Sequence, residues 1–293
     1  MSVVTEIRGH EKDLGGGFRV NRLLPSLARQ SVGPFVFFDH FGPVTLGPGA
    51  NFDVRPHPHI GLATVTFLFQ GAMMHRDSLG NARRIEPGAI NWMSAGRGIV
   101  HSERTPDDLR DQRYVAHGLQ LWVALPRAAE ESDPSFTHTP AAELPVLSEG
   151  GTEIRVLVGE AFGRRSPVVT ASPTLYVSLK MAAGATLMVP SLANQVAAYS
   201  VDADLTIDDR PVARRVLAVL DAERPTRLHA PVATQVVLVG GDPPDGRRLL
   251  WWNFVSSRKE RIVEAASAWE KQQMGRIEGD DEFIPLPDKR PEL

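Results

Sequence analysis

The sequence has no cysteine among its 293 residues. This absence excludes disulfide bonds, thiolate metal sites and cysteine nucleophiles, so any catalysis must use histidine, carboxylates, hydroxyls or a bound metal. It is also compatible with a reducing cytoplasm. A chain of this length buries roughly three quarters of the surface that its unfolded form exposes, so a stable core does not need covalent cross-links.

Long apolar runs and broad basic clusters are lacking as well. No apolar run approaches the roughly 20 residues that a membrane helix needs, and the first ten residues lack the basic and apolar regions of a secretory signal. The formal net charge is −3, from 32 Lys and Arg against 35 Asp and Glu. We therefore expect a cytoplasmic protein that binds neither a membrane nor nucleic acid.

What the sequence does contain favours β structure. Its 25 glycines and 23 prolines separate short segments rich in Val, Leu, Thr and Phe, which is typical of many short antiparallel strands. Between 126 and 151 the composition shifts to Ala, Glu, Ser, Asp and Pro, as in a connection between domains. We predict a mainly β protein with a first domain over 1–130, a connection over 131–150 and a second domain over 151–293.

Two pairs of potential metal ligands occur in the first half of the chain. His57 and His59 form one pair, and His101 and Glu103 form the other. Residues two apart on a strand point to the same face, so four donors converge if the two strands face each other. Three imidazoles and one carboxylate suit a divalent transition metal such as Fe(II), Zn(II), Mn(II), Ni(II) or Cu(II). We expect one metal per chain, because the second half supplies only His229.

The strand that follows the first histidine pair indicates a substrate pocket. Counting by twos from His59 places Val65, Phe67 and Phe69 on the face that bears the ligands, which predicts a metal at the mouth of an apolar barrel interior. A later strand carries Gln120. Its amide could hydrogen-bond a metal-bound water or a substrate, or it could be satisfied within the sheet.

We give two other segments that contain histidine a structural interpretation. Asp39 and His40 stand at the end of an apolar run, and we interpret them as a turn that bonds to local backbone. His75 precedes a Gly-Asn hairpin signal, and we interpret it as a solvated hairpin histidine, although it could line the site entrance.

The chain ends in a predicted amphipathic helix. Ser257 and Glu260 have the spacing of a capping box, and Ile262, Ala265, Ala266 and Trp269 recur at helical intervals. We expect the resulting apolar stripe to pack against a barrel, with Ile262 and Trp269 buried.

Several of these segments together resemble the pirin family, within the cupin superfamily. They are Phe38–Pro43, His57–Gly61, Gly80–Asn81, Pro87–Gly88, Trp92–Glu103, His117–Trp122, Ser166–Val168 and Pro173–Tyr176. The resemblance implies two tandem, jelly-roll-like antiparallel β-barrels. The first would hold the metal through His57, His59, His101 and Glu103, and the second would lack ligands. Many cupins have a further glutamate soon after the H-x-H pair, where this sequence has Ala63 and Thr64, so Glu103 would be the sole carboxylate.

The resemblance also implies two alternative functions. Bacterial members are associated with quercetin 2,3-dioxygenase activity, so we expect a metal-dependent dioxygenase with Fe(II) favoured and Zn, Ni, Mn, Co or Cu as alternatives. Its substrates would be a flavonol and dioxygen, and Glu103 would be the catalytic base that takes the flavonol hydroxyl proton. Animal members are associated with transcriptional co-regulation. The alternative is therefore a non-enzymatic, redox-sensing metal module that binds a partner protein.

Overall fold

The computed structural model describes residues 3–14, 18–50 and 53–288. Up to the middle of the chain, the described strands are β1 (Val3–Arg8), β2 (His10–Asp13), β3 (Arg19–Leu24), β4 (Phe35–Leu46), β5 (Val54–His59), β6 (Leu62–Gln70), β7 (Met73–Asp77), β8 (Ala82–Ile85), β9 (Ile90–Ser94), β10 (Ile99–Arg104), β11 (Tyr114–Ala124), β12 (Ser135–Thr139) and β13 (Val146–Glu149). A short helix, α1 (Asp107–Arg110), follows β10, and two 3-10 helices span Arg127–Ala129 and Ala141–Glu143.

The rest of the chain has the same character. Its strands are β14 (Thr152–Val158), β15 (Glu160–Ala161), β16 (Arg164–Arg165), β17 (Thr174–Met181), β18 (Thr186–Val189), β19 (Gln195–Ser200), β20 (Leu205–Ile207), β21 (Arg210–Val212), β22 (Val216–Leu220), β23 (Thr226–His229), β24 (Thr234–Gly241), β25 (Leu249–Trp251) and β26 (Phe254–Ser256), and they precede α2 (Lys259–Glu270). The expected mainly β structure with a C-terminal helix is confirmed. No helix in the described ranges is long and apolar enough to span a membrane.

The chain divides into two compact units. One comprises residues 1–12, 21–39 and 139–243, and we call it the apolar unit. The other comprises residues 13–20, 40–138 and 244–293, and we call it the histidine-rich unit because seven of the nine histidines lie in it.

This division differs from the consecutive domains expected over 1–130 and 151–293. The N-terminal strand β1 pairs with β22, with Val3 opposite Leu220 and Ile7 opposite Leu217, so it belongs to the apolar unit. The C-terminal helix belongs to the histidine-rich unit. The expected connection over 131–150 contains β12 and β13, and each of these strands joins a sheet. Composition marks where a chain changes character, but it does not show which distant strand a terminal segment pairs with.

The apolar unit encloses an aliphatic core between two sheets. Its larger sheet has the order β1-β22-β19-β24-β17-β14-β13, and its smaller sheet has the order β18-β23-β20-β21. Val177, Leu179, Val236 and Leu238 are fully buried in this core. Alternation along each strand accounts for this, because every second residue faces the interior.

The histidine-rich unit has a four-stranded sheet of order β5-β10-β7-β8. Its larger sheet has the order β12-β9-β6-β11, followed by β4, of which residues 40–46 belong to this unit. Gly61 turns the chain from β5 into β6 with a positive φ of 67°. A Cβ at this position would collide with the Val255 carbonyl oxygen, so only glycine fits there without strain. The turn thereby connects one sheet to the other directly after His59.

Helix α2 buries the residues that its periodicity predicted. Ile262 and Trp269 are 0% and 2% exposed, and the Trp269 indole N–H donates a hydrogen bond to the Ile284 carbonyl oxygen at 2.9 Å. The predicted capping box is wrong. The helix begins after Arg258 and has no side-chain cap. The Ser257 hydroxyl instead donates to the Glu130 carboxylate at 2.8 Å, because a stronger, charged acceptor lies close to it in the fold.

Replacing Trp269 with Ala should destabilise the protein by about 3 to 5 kcal/mol, because the change leaves a large cavity and removes a buried hydrogen bond. The matched control is Val263→Ala on the same helix, whose side chain is 55% exposed and whose loss should change stability by less than about 0.5 kcal/mol. Urea unfolding of both variants measures the difference. Equal stabilities would show that the apolar stripe does not hold the helix in place.

Candidate metal centre

Three histidines converge on the four-stranded sheet. Strand β10 pairs with β5 so that His101 lies opposite His57 and Ile99 lies opposite His59. His57 and His59 share a face because they are two residues apart, and residues directly opposite each other in an antiparallel pair also share a face. One potential ligand atom from each histidine lies within 4.8 Å of the other two. All three side chains are buried.

Hydrogen bonds donated by the Nδ1 atoms fix the orientation of two of these rings. His57 Nδ1 lies 2.8 Å from the Arg55 carbonyl oxygen, and His59 Nδ1 lies 3.0 Å from the Asn253 carbonyl oxygen. A carbonyl oxygen only accepts, so each Nδ1 carries the proton and each Nε2 keeps a free lone pair. This is the arrangement in which histidine binds a metal through Nε2.

The Nε2 atom of the third histidine, His101, is buried and has no hydrogen-bond partner in the described structure. An unpaired buried polar atom is costly, by about 1 to 3 kcal/mol, unless a ligand satisfies it. The unpaired His101 Nε2 therefore fits a metal bound between the three rings. This observation and the two carbonyl contacts show that the residues present are suited to a divalent cation.

Burial also sets the protonation of the site. It lowers the pKa of His57 to about 4 and the pKa values of His59 and His101 well below the ordinary 6.5. Nearby histidines lower these pKa values further, because like charges repel. At neutral pH all three rings are therefore neutral, which is the form that binds a metal.

Glu103 lies on the same strand but outside the cluster of mutually close histidine atoms. Its Oε1 atom is 3.1 Å from the Thr66 hydroxyl, which is 2.9 Å from Gln120 Oε1. Burial raises the pKa of the Glu103 carboxyl. Gln120 is thus linked through Thr66 to the carboxylate that sequence reasoning placed at the site. The role of Glu103 as a fourth ligand stays a prediction.

The expected apolar pocket of Val65, Phe67 and Phe69 is not on the ligand side. Thr66 makes the contact with Glu103, so Val65 and Phe67 point to the opposite face of β6 by alternation. The Phe69 ring contacts His117 and Phe67 instead, at centroid distances of 4.8 and 5.4 Å. The count by twos from His59 assigned these residues to the wrong face because the turn at Gly61 interrupts the alternation of side chains. Strand β6 then begins a new alternation.

A different aromatic residue borders the histidines. The Trp122 ring meets His59 edge to face, with centroids 5.2 Å apart. Trp122 lies two residues beyond Gln120 on β11, so the two side chains share a face. Together with Thr66 they form the wall of the site on the larger sheet.

His75 is not a solvated hairpin residue. It is 4% exposed, its Nε2 lies 2.9 Å from an Asp77 carboxylate oxygen, and its Nδ1 lies 3.5 Å from His101 Nδ1. The ring stacks on Phe136 with a centroid distance of 4.1 Å. The spacing of His75 and Asp77 matches that of the two recognised ligand pairs, and this signal was missed because a hairpin follows.

The interpretation of Asp39 and His40 as a turn is also wrong, because both lie within β4. Asp39 accepts two hydrogen bonds from the Arg22 guanidinium at 2.8 and 2.6 Å. His40 Nε2 lies 2.8 Å from His117 Nε2, so one of these rings donates to the other. Both residues therefore make long-range contacts of the folded chain.

Metal-free protein should lose stability as the pH falls from about 6.5 to about 4. In this window the unfolded chain protonates its histidines whereas buried His57 stays neutral, so the unfolded state binds more protons. Glu103 contributes in the opposite direction, since folding raises its pKa and the folded state therefore binds its proton more readily as the pH falls.

The test therefore compares urea unfolding of wild type and His57→Ala in EDTA from pH 7.5 to 4.5. The wild type should have a slope steeper by up to about 1.4 kcal/mol per pH unit. Parallel curves would contradict this assignment.

Comparisons with known proteins agree with the fold. A family model described as Pirin matches residues 17–123, and one described as Pirin C-terminal cupin domain matches residues 176–275. A Pirin-like protein of Caulobacter vibrioides is 45% identical over 94% of this chain and 96% of its own length. The Pirin of Rattus norvegicus is 32% identical over 90% of each chain.

A solved structure covers the chain almost completely. It is described as quercetin 2,3-dioxygenase from Acinetobacter baumannii, is 34% identical, and superimposes with a TM-score of 0.89 over 99% of this chain and 97% of its own. The expected fold of two cupin domains is therefore confirmed. On the strength of both family-model matches and of relatives that align along nearly its whole length, the chain belongs to the pirin family.

Proposed function

We propose that the protein is a metal-dependent dioxygenase that acts on a flavonol such as quercetin. The observation that carries this proposal is the convergence of three buried, neutral imidazoles with the unpaired Nε2 atom of His101. The likeness to a structure described as quercetin 2,3-dioxygenase supports the choice of reaction. The remaining pirin-family role, a metal-bearing regulatory module, is the alternative that the experiments below address.

His57, His59 and His101 would hold one divalent transition metal, with Glu103 as the fourth ligand. Nitrogen and carboxylate donors of this kind suit Fe(II), which we favour, and also Zn, Ni, Mn, Co and Cu. When bound, such a metal supplies Lewis acidity toward the hydroxyl and carbonyl oxygens of a flavonol and a redox-active centre for dioxygen.

The residues of the chain would supply orientation and proton transfer. Glu103 would accept the proton of the flavonol 3-hydroxyl, because it is the one carboxylate among the proposed ligands. Its Oε1 atom has a partner, Thr66, whose hydroxyl can either donate to the carboxylate or accept from the carboxylic acid. Once Glu103 is protonated, Thr66 can turn its own proton toward Gln120 Oε1. This chain keeps both protonation states of Glu103 hydrogen-bonded.

One tightly bound metal per chain is expected, because within the described residues the three converging histidines form a single cluster. His57→Ala should empty the site and leave a folded protein, since the apolar unit and helix α2 have cores of their own. Elemental analysis and circular dichroism of protein purified without affinity-tag metals measure both effects. Two tightly held metals per wild-type chain would contradict a single site, and unfolding of His57→Ala would make the metal structural.

Glu103→Gln should retain metal but lose turnover by a factor of roughly 10² to 10⁴, the usual contribution of a general base. The amide keeps the shape and one oxygen donor of the carboxylate and removes its charge and basicity. Flavonol loss and oxygen uptake are followed together and normalised to bound metal. The matched control is Glu86→Gln, whose carboxylate is exposed and paired with Arg84.

Equal rates per bound metal in Glu103→Gln and wild type would exclude Glu103 as the base. A wild-type protein that binds metal but consumes neither flavonol nor oxygen with iron, manganese, nickel, cobalt or copper would reject the dioxygenase. In that case the metal-bearing regulatory module, which binds a partner protein, becomes the better explanation.

A further inference from the structure

His101 differs from the other two metal-site histidines in the group that faces its Nδ1 atom. His57 and His59 each meet a backbone carbonyl oxygen, whereas His101 Nδ1 meets His75 Nδ1 at 3.5 Å, the long limit of a hydrogen bond. A carbonyl can only accept, but an imidazole nitrogen can donate or accept. The tautomer of His101 therefore depends on which of the two His75 ring nitrogens carries the proton.

Asp77 settles which nitrogen of His75 carries the proton. His75 Nε2 lies 2.9 Å from Asp77 Oδ2, and a carboxylate only accepts, so Nε2 donates. In the neutral ring Nδ1 is then the acceptor, and it can pair with His101 only if His101 Nδ1 carries a proton. His101 Nε2 is left with a lone pair, and this is the buried atom without a partner.

Asp77 is held rigidly in this role. Its Oδ1 atom accepts the backbone N–H groups of Leu79 and Asn81 at 2.9 and 3.0 Å, and the Asn81 amide donates to both carboxylate oxygens. Only Oδ2 faces His75. These bonds fix the carboxylate in the turn that connects β7 to β8.

His75 is fixed by its strand and by its stacking partner. Strand β7 pairs with β10 so that Asp77 lies opposite His101 and His75 lies opposite Glu103, which places both on the ligand face. The Phe136 ring lies nearly parallel to His75, at 10°. The imidazole thus keeps one nitrogen toward Asp77 and the other toward His101.

We propose that Asp77 and His75 act as positioning residues that hold His101 in the tautomer able to bind metal and increase electron donation from its Nε2 atom. Carboxylate-linked histidine ligands of this kind are more basic than unassisted ones. The inference rests on the metal site of the proposed function, but it does not depend on which reaction that site performs.

The first test is Asp77→Asn. The amide oxygen would stay at the Oδ1 position to keep the Leu79 and Asn81 N–H bonds, so the NH₂ group would face His75 Nε2. His75 would then accept at Nε2 and donate from Nδ1, and His101 would have to accept at Nδ1 and carry its proton on Nε2, where it blocks the metal. The equivalent Asp-to-Asn change in a serine-protease triad acts through the same tautomer reversal.

The measured quantity is the dissociation constant of Co²⁺, obtained by competition with a chromophoric chelator. Asp77→Asn and His75→Phe should each weaken binding by about 10-fold to 100-fold. Asp108→Asn, which removes an exposed carboxylate paired with Arg84, should bind like wild type. His75→Phe also serves as the independent test if Asp77→Asn does not fold.

The double variant decides between the relay and a merely structural role. If Asp77 acts on His101 through His75, Asp77→Asn in a His75→Phe background should change affinity by less than about twofold. In metal-free protein, nitrogen-15 shifts should report Nδ1–H at His101 in wild type and Nε2–H in Asp77→Asn. Three results would each overturn the relay. The first is wild-type Co²⁺ affinity in either single variant, and the second is a double variant whose loss of affinity is the product of the two single losses. The third is a His101 tautomer that is unchanged in Asp77→Asn. Metal binding of this pattern without flavonol turnover would reject the dioxygenase and keep the relay.

Discussion

The pairing of β10 with a neighbour on each side is the constraint on which the metal centre depends. On one side β5 places His57 opposite His101, and on the other side β7 places Asp77 opposite His101. Because opposite residues of an antiparallel pair point to the same face, one strand brings together ligands and the groups that orient them. A one-residue slip of either pairing would turn a whole set of side chains away from the site.

Burial of these polar groups is tolerated because they are hydrogen-bonded in a mutually consistent way. The desolvation that keeps His57, His59 and His101 neutral would otherwise oppose folding. Carbonyl oxygens satisfy two of the rings, and the carboxylate of Asp77 supports the third through His75. In the apolar unit the aliphatic cluster packs by apolar contacts alone, whereas the buried carboxylate of Asp39 is paired with the Arg22 guanidinium.

The sequence was most informative where a periodic pattern lay within one strand or one helix. The convergence of His57, His59 and His101 and the buried stripe of α2 follow from periods of two and 3.6 residues, and both were predicted, whereas the role of Glu103 as a ligand stays a prediction. Prediction failed where a period was carried across a turn, as from His59 through Gly61 to Phe67. It also failed where the deciding partner is remote in sequence. Asn253 orients His59 from 194 residues away, and no local pattern marks that contact.

The proton positions make a stronger case for a cation than the presence of three histidines alone. Histidines gathered by chance would have no reason to direct every Nδ1–H outward. Here His57 and His59 do so through fixed carbonyl acceptors, and His101 does so if His75 accepts from it. The consequence is that three lone pairs point into one buried space and repel one another. A positive ion removes that repulsion, whereas water, with two protons, can satisfy at most two of the three acceptors. The arrangement is therefore best satisfied by a metal.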